Sequence, residues 1–160
     1  MSNKILQLAQ YHQTYSGSYQ FNVTEELDAH FRKYLSRKLR DLLPPTVEQH
    51  PADAMPLDIS LDDIEGDVVA GISAVTCKHT LSIDLLWVDE PLRDNGIGRR
   101  LMQMAEEKGR ERGCTQARLS VTGGVAFFIG LGYDLSGTVQ QVDFSAGTTK
   151  AVYWLTKDLI

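Results

Sequence analysis

Arg93, Gly96 and Gly98 stand where a strand pattern gives way to a helix pattern. Leu81 to Val88 is a continuous, mostly apolar run that predicts a buried strand. Ile97, Leu101, Met104 and Ala105 then repeat at helical spacing. The start of a helix carries several unpaired backbone N–H groups and the positive end of the peptide dipoles. Glycines at that point let a phosphate approach the N–H groups with no side chain in the way. Arg93 adds a fixed positive charge. The chemistry these residues suggest is a pyrophosphate cradle. An ordinary strand-to-helix turn, with glycine for tight packing, uses the same residue types, so both readings stay open on the glycines alone.

Other phosphate-binding patterns do not fit. The dinucleotide fingerprint needs a third glycine that is absent after Gly98, and a P-loop needs Gly-Lys-Ser/Thr. His12, His30, His50 and His79 are scattered without metal-ligand spacing, so no metal is assigned. Cys77 and Cys114 are the only cysteines, which fits two reduced thiols rather than a disulfide framework. The formal net charge of −5 speaks against a nucleic-acid or anionic-membrane partner. No apolar run reaches membrane-spanning length, and the N-terminus lacks the pattern of a signal peptide, so a cytoplasmic location is expected.

The whole segment Ile83 to Leu101 resembles the acetyl-CoA-binding motif of the GNAT superfamily of N-acetyltransferases. That motif has an acidic residue, a hydrophobic strand, then Arg/Gln-x-x-Gly-x-Gly/Ala opening a helix. Phe127-Phe128-Ile129-Gly130-Leu131-Gly132-Tyr133 is similar to the family's Phe-Tyr-x-x-Leu-Gly-Phe/Tyr segment. The resemblance covers about Asp58 to Leu159. It implies acetyl-CoA as cosubstrate, held by Arg93, Asp94, Asn95, Gly96, Ile97, Gly98 and Arg99. It also implies that backbone around Trp87 and Val88 polarises the thioester carbonyl, and that two neighbouring strands splay apart around Leu85–Val88 and Leu119–Val121. Asp84 matches an acidic position that implies a catalytic base, acting directly or through water; a turn cap or core partner is the bland alternative. The family commonly places a tyrosine hydroxyl four residues before the glycine of Leu-Gly-Phe/Tyr to protonate the leaving thiolate. Here that position is Phe128, which carries no proton to give. Tyr133, Ser120, Thr122 and water are weaker candidates. Gly123-Gly124 also departs from the family, which often has asparagine nearby.

The elements needed to position these residues can be read along the chain. Residues 3 to 15 carry a weak helical pattern. Tyr19, Phe21 and Val23 alternate as a first strand. Thr24 is the expected N-cap of a helix running to Leu43, with Glu25 and Glu26 in its first turn and Pro44-Pro45 as its stop. Its basic residues, Arg32, Lys33, Arg37, Lys38 and Arg40, are expected on a solvated face. A loop spans Pro44 to Pro56. Leu57, Ile59, Leu61 and Ile64 predict a strand, and Val68 to Val75 its hairpin partner. The acids Asp58, Asp62, Asp63, Glu65 and Asp67 are expected in a solvated turn; attraction of a cationic acceptor is the sharper alternative. After the glycine-led helix, ended by Gly113, come a strand at Ala117–Val121 and a short helix at Gly124–Leu131. Strands around Val139, Val142 and Phe144 and at Ala151–Leu155 complete the chain. The strand–helix–strand unit from Leu81 to Val121 implies one parallel pair.

The expected fold is therefore α/β: a GNAT-like mixed, mostly antiparallel twisted sheet with helices on both faces, formed by residues 1–160 as one domain. The leading functional expectation is an N-acetyltransferase that moves the acetyl group of acetyl-CoA to a primary amine by direct attack in a ternary complex. The acceptor is a small molecule or a peptide. The alternative is a catalytically weak acyl-CoA-binding regulatory or interaction module, which the missing tyrosine favours. A structural α/β domain with a coincidental glycine turn is a third. A homodimer through the C-terminal strands is left open.

Overall fold

The computed structural model describes residues 19–39 and 50–160. The expected helix at 3–15, the far end of the next helix at 40–43 and the loop at 44–49 lie outside the described residues. Among those described, the strands are β1 (Gln20–Thr24), β2 (Met55–Asp62), β3 (Val68–Cys77), β4 (Thr80–Val88), β5 (Gln116–Val121), β6 (Asp134–Asp143) and β7 (Thr148–Asp158). The helices are α1 (Ala29–Lys38), α2 (Ile97–Glu111) and α3 (Val125–Gly130). The seven strands form one sheet in the order β1-β2-β3-β4-β5-β7-β6. Only β4 and β5 run parallel, as the strand–helix–strand unit requires.

Side-chain alternation along β2 and β3 gives the sheet two unlike faces. Leu57, Ile59 and Leu61 pair across with Ala74, Ile72 and Ala70. This apolar set joins Ile97, Leu101, Met102 and Ala105 of α2 in the core. Met102 is fully buried, while Met104, expected on that stripe, only packs at its margin. Each leucine, isoleucine or methionine of this set withdrawn from water contributes roughly 1.5–3 kcal/mol. The alternate positions Asp58, Ser60 and Ser73 belong to the opposite face, where α1 lies. There α1 sits close to the sheet: a Cβ on Gly71 would meet the Phe31 ring at 2.7 Å and Leu35 at 3.2 Å.

The start of α1 differs from expectation. Thr24 is the last residue of β1, paired with Asp58. The N-cap is Asp28, whose carboxylate accepts the Phe31 N–H at 3.0 Å. A carboxylate also complements the helix dipole, so it outcompetes a threonine already committed to the sheet. Glu25 instead meets Lys108 and Arg112 from the far end of α2.

The other expected elements are present with shifted ends. The β2–β3 hairpin stops at Asp62, leaving Ile64 in the turn and exposed. The β6–β7 hairpin is longer than its apolar pattern, and Phe144 lies in its turn, 92% exposed, rather than in a strand. The helix after the glycines ends as expected, with Gly113 just beyond it at φ +86°. Among the described residues no helix is long and apolar enough to cross a membrane.

Candidate functional site

The pairing of β4 with β5 ends at Ile83↔Leu119. Both strands continue, so they part beyond that point. A cavity of about 220 Å³ lies in the gap, lined by Ile83 to Leu86, Leu119 to Gly124, Phe128 and Leu39. Leu86 and Leu39 also line a larger groove of about 790 Å³ at the start of α2. The gap and the groove thus share walls.

Why the strands part is visible in the backbone. Opposite β3, Ile83 faces Ala74 while Leu85 faces Ser73, so Asp84 is the extra residue of a β-bulge. A bulge bends its strand and re-aims the side chain it carries. Beyond it the alternation is regular. Asp89 N–H donates to Val69 C=O on β3 at 2.9 Å. By alternation, Trp87 and Leu85 direct their N–H and C=O to β3, and Leu86 and Val88 direct theirs into the gap. A backbone donor offered to a ligand therefore comes from Leu86 or Val88, and Trp87 contributes its side chain to the groove wall.

The groove gathers Trp87, Val88, Arg93, Asp94, Gly96, Ile97, Gly98 and Arg99, with Leu92 and Phe127. Asn95 is not on the wall: its amide donates to the carbonyls of Leu92 and Arg93 at 3.1 and 2.9 Å, which holds the loop in shape. Gly96 caps α2 at φ +81° and offers no side-chain cap. That conformation is unfavourable for residues with a Cβ. The first helical bond runs from Arg100 N–H to Gly96 C=O. The N–H groups of Ile97, Gly98 and Arg99 precede it and point out of the helix start. Arg93 donates through Nε to Val88 C=O at 2.9 Å, which anchors its guanidinium beside the groove. The two sequence motifs meet here, since a Cβ on Gly98 would lie 3.3 Å from the Phe127 ring. This arrangement can hold a phosphate-bearing ligand at the helix start and an extended chain along β4.

Asp84 sits in the gap within a polar cluster on the α1 face. His50 Nε2 lies 2.9 and 2.8 Å from its two carboxylate oxygens. A carboxylate only accepts, so that nitrogen carries the hydrogen. Arg32 Nη1 lies 3.5 Å from Asp84. Arg32 also donates through Nη2 to Ala74 C=O at 3.0 Å and stands 3.6 Å from Asp58. Ser73 donates to Asp58 at 2.6 Å. Burial pushes the Asp58 carboxyl up, against the Ser73 hydrogen bond and the Arg32 charge.

Three expectations change at this cluster. Asp58 is 2% exposed and belongs to no solvated turn. The hairpin acids divide: Asp63 builds the turn by accepting the N–H groups of Glu65 and Asp67, while Asp58 and Asp62 lie on the strand face under α1. Arg32 points into the sheet rather than to solvent. His50 was one of four scattered histidines in the sequence and is brought to Asp84 only by the fold. The available signal was the alternation Asp58-x-Ser60-x-Asp62 within Leu57-x-Ile59-x-Leu61, a strand with a polar face that a helix then covers.

Phe128 packs edge-on against Phe127 and Tyr133, with ring centroids 5.0 and 6.1 Å away. Tyr133 is 1% exposed and its hydroxyl has no hydrogen-bond partner of good geometry among the described residues. Burial and the neighbouring Glu106 carboxylate push its ionisation well above the ordinary phenol range. It does not line the gap. Ser120 and Thr122 do.

The chain is similar to known proteins in sequence and in fold. The sequence profile of the Acetyltransferase (GNAT) family matches residues 10–133. An acetyltransferase of Agrobacterium fabrum is 36% identical over 66 residues, 41% of this chain and 48% of that protein. The match thus spans about half of that relative's length. Blasticidin-S acetyltransferase of Streptomyces morookaense is 32% identical over 97 residues, 59% of this chain and 68% of the relative. A crystal structure from Agrobacterium tumefaciens, described as an acetyltransferase, superposes with a TM-score of 0.59 at 26% identity, covering 87% of this chain and 98% of that one.

Proposed function

The chain belongs to the GNAT acetyltransferase family, and on that premise we propose that it transfers the acetyl group of acetyl-CoA to a primary amine by direct attack in a ternary complex. The observation that carries this reading is the parting of β4 and β5 after Ile83 and Leu119, with the gap sharing walls with the groove at the start of α2. Acetyl-CoA supplies the activated acyl carbonyl. The N–H groups of Ile97, Gly98 and Arg99, with Arg93, hold its pyrophosphate. Leu86 and Val88 pair with the pantetheine arm as an added strand would, and one of their N–H groups polarises the carbonyl. Asp84 takes the proton of the attacking amine, directly or through water. His50 and Arg32 fix its carboxylate in place.

The leaving sulfur departs as thiolate. Phe128 has no proton to give, and Tyr133 is sealed among Glu106, Lys157 and the core. Solvent protonates the sulfur, whose modest basicity makes it a fair leaving group without a protein acid. The same Phe128 favours a second reading, a catalytically weak acyl-CoA-binding module. The two separate on whether acetyl-CoA is consumed when amines are supplied.

The test is an acetyl-CoA titration by calorimetry, with wild type beside an Arg93→Ala, Gly96→Val double variant. Micromolar binding by the wild type, lost in a variant that still melts cooperatively, is expected. Absence of binding by the wild type sinks both readings.

A further inference from the structure

We propose that Asp58 is a positioning residue for the candidate base: it shares the Arg32 guanidinium with Asp84, and so keeps the Asp84 carboxylate basic enough to take a proton. The catalytic consequence rests on the acetyl-transfer reading above; the sharing of one cation by two acids does not.

Strand register brings these groups together. Asp58 on β2 pairs across with Ser73 on β3, and Ser73 faces Leu85 on β4, beside the bulged Asp84. Arg32 reaches this row from α1. Its Nη1 lies 3.5 Å from Asp84 Oδ2. Its Nη2 lies 3.6 Å from Asp58 Oδ1 and donates to Ala74 C=O at 3.0 Å. Its Nε is buried without a hydrogen-bond partner. The guanidinium therefore makes a two-pronged pair with neither carboxylate, although arginine and a carboxylate frequently pair that way. It is divided between two acids.

That division matters to a base. A cation beside a carboxylate lowers its affinity for a proton, and a second carboxylate nearby raises it. Arginine keeps its charge at any working pH. An Asp84 that held Arg32 alone would be a weak base for the proton of an amine. Asp58 draws part of that charge away. It is built in firmly: it is 2% exposed, and the Ser73 hydroxyl donates to its Oδ1 at 2.6 Å. The Arg32 charge in turn opposes the burial that pushes the Asp58 carboxyl up, so the two acids compete for one cation. Also packed around the row are His50, 2.8 Å from Asp84, and Arg118 of β5, whose Nε donates to the Ser82 hydroxyl at 3.1 Å. Asp28, the N-cap of α1, adds a further negative charge toward Asp58. Arg32 is the group that contacts both acids.

The experiment follows the side-chain carboxyl carbons of Asp84 and Asp58 by NMR through a pH titration of the full chain, without acetyl-CoA. In Asp58→Asn the Asp84 midpoint is expected to fall by at least about half a pH unit. In an Arg32→Gln background the same substitution is expected to move it by less than about 0.2 unit, because an effect that runs through Arg32 disappears with it. Arg32→Gln by itself raises both midpoints, which keeps the test open if Asp58→Asn lacks a cooperative melt. In a transfer assay Asp58→Asn lowers kcat about three- to tenfold, moves the acid limb of its pH profile down, and leaves KM for acetyl-CoA within about twofold. An Asp84 midpoint that Asp58→Asn leaves in place, or moves equally with and without Arg32, overturns the assignment even if acetyl-CoA is turned over, and marks Asp58 as structural. A rise at only one acid in Arg32→Gln overturns it as well, since the cation then belongs to that acid. The expected midpoint shifts in a protein that turns over no acetyl-CoA keep the shared cation and remove its catalytic meaning together with the acetyl-transfer reading.

Discussion

β2 and β3 face α2 with one set of side chains and α1 with another, and the two sides work by opposite rules. Under α2 the strands present Leu57, Ile59, Leu61, Ala70, Ile72 and Ala74, which pack on Leu101, Met102 and Ala105. Under α1 they present Asp58, Ser73 and, from the β4 bulge, Asp84, which meet Arg32 and His50. The first side is held by apolar area removed from water. The second buries carboxylates, which costs free energy unless each finds a donor or a cation. A protein keeps such a face where chemistry or recognition needs it. Apolar packing is therefore concentrated on the α2 side, and on the acetyl-transfer reading proposed above the acceptor chemistry falls to the α1 side, with the splayed strands between them.

Substitutions can sharpen or break that division. The largest expected effect is on the α2 side. Leu101→Ala removes a side chain with no solvent exposure and should cost about 2–5 kcal/mol in denaturant unfolding. If the division holds, the residual folded protein keeps its preference among amine acceptors. Next, on the α1 side, Asp84→Asn should lower turnover about 100-fold, or about 2.7 kcal/mol in activation free energy, while the acetyl-CoA affinity stays within about twofold. Unchanged turnover would remove Asp84 from the mechanism and the α1 face from the chemistry. The smallest effect belongs to the seam between the faces. Phe128→Tyr restores a hydroxyl at the gap, and if protonation of the leaving sulfur limits turnover, stopped-flow detection of free thiol should show a gain of up to about tenfold. Pre-steady-state rates that do not move would place the slow step elsewhere.

Much of the framework was legible in the sequence because it depends on local or near-local signals. The run Leu81–Val88, the glycines and the stripe of α2 follow from strand burial, backbone freedom and helical periodicity. The parallel β4–β5 pair follows from connectivity. Helix starts were harder. Thr24 and Asp28 are both sound N-caps on local grounds, and pairing of Thr24 with Asp58 on β2 decided between them. Asn95 turns its amide to the carbonyls of its own loop, and the composition of a loop does not say which side chains close it upon itself. Trp87 and Val88 are neighbours in sequence, yet the backbone of Trp87 faces β3 and that of Val88 faces the gap, a distinction set by the register with β3.

By itself the sequence determined the mixed fold, the strand-to-helix junction that can hold a phosphate, the acid at position 84 and the absence of a hydroxyl at Phe128, since each is carried by residue type and short-range spacing. The tertiary structure alone decided that His50, Arg32 and Asp58 converge near Asp84, 34, 52 and 26 positions away in the chain. Ion pairs of that span depend on which strand neighbours which, on a bulge that turns one side chain out of register, and on a helix that closes over a polar sheet face. No local propensity encodes those contacts, because their energies exist only once the sheet has assembled.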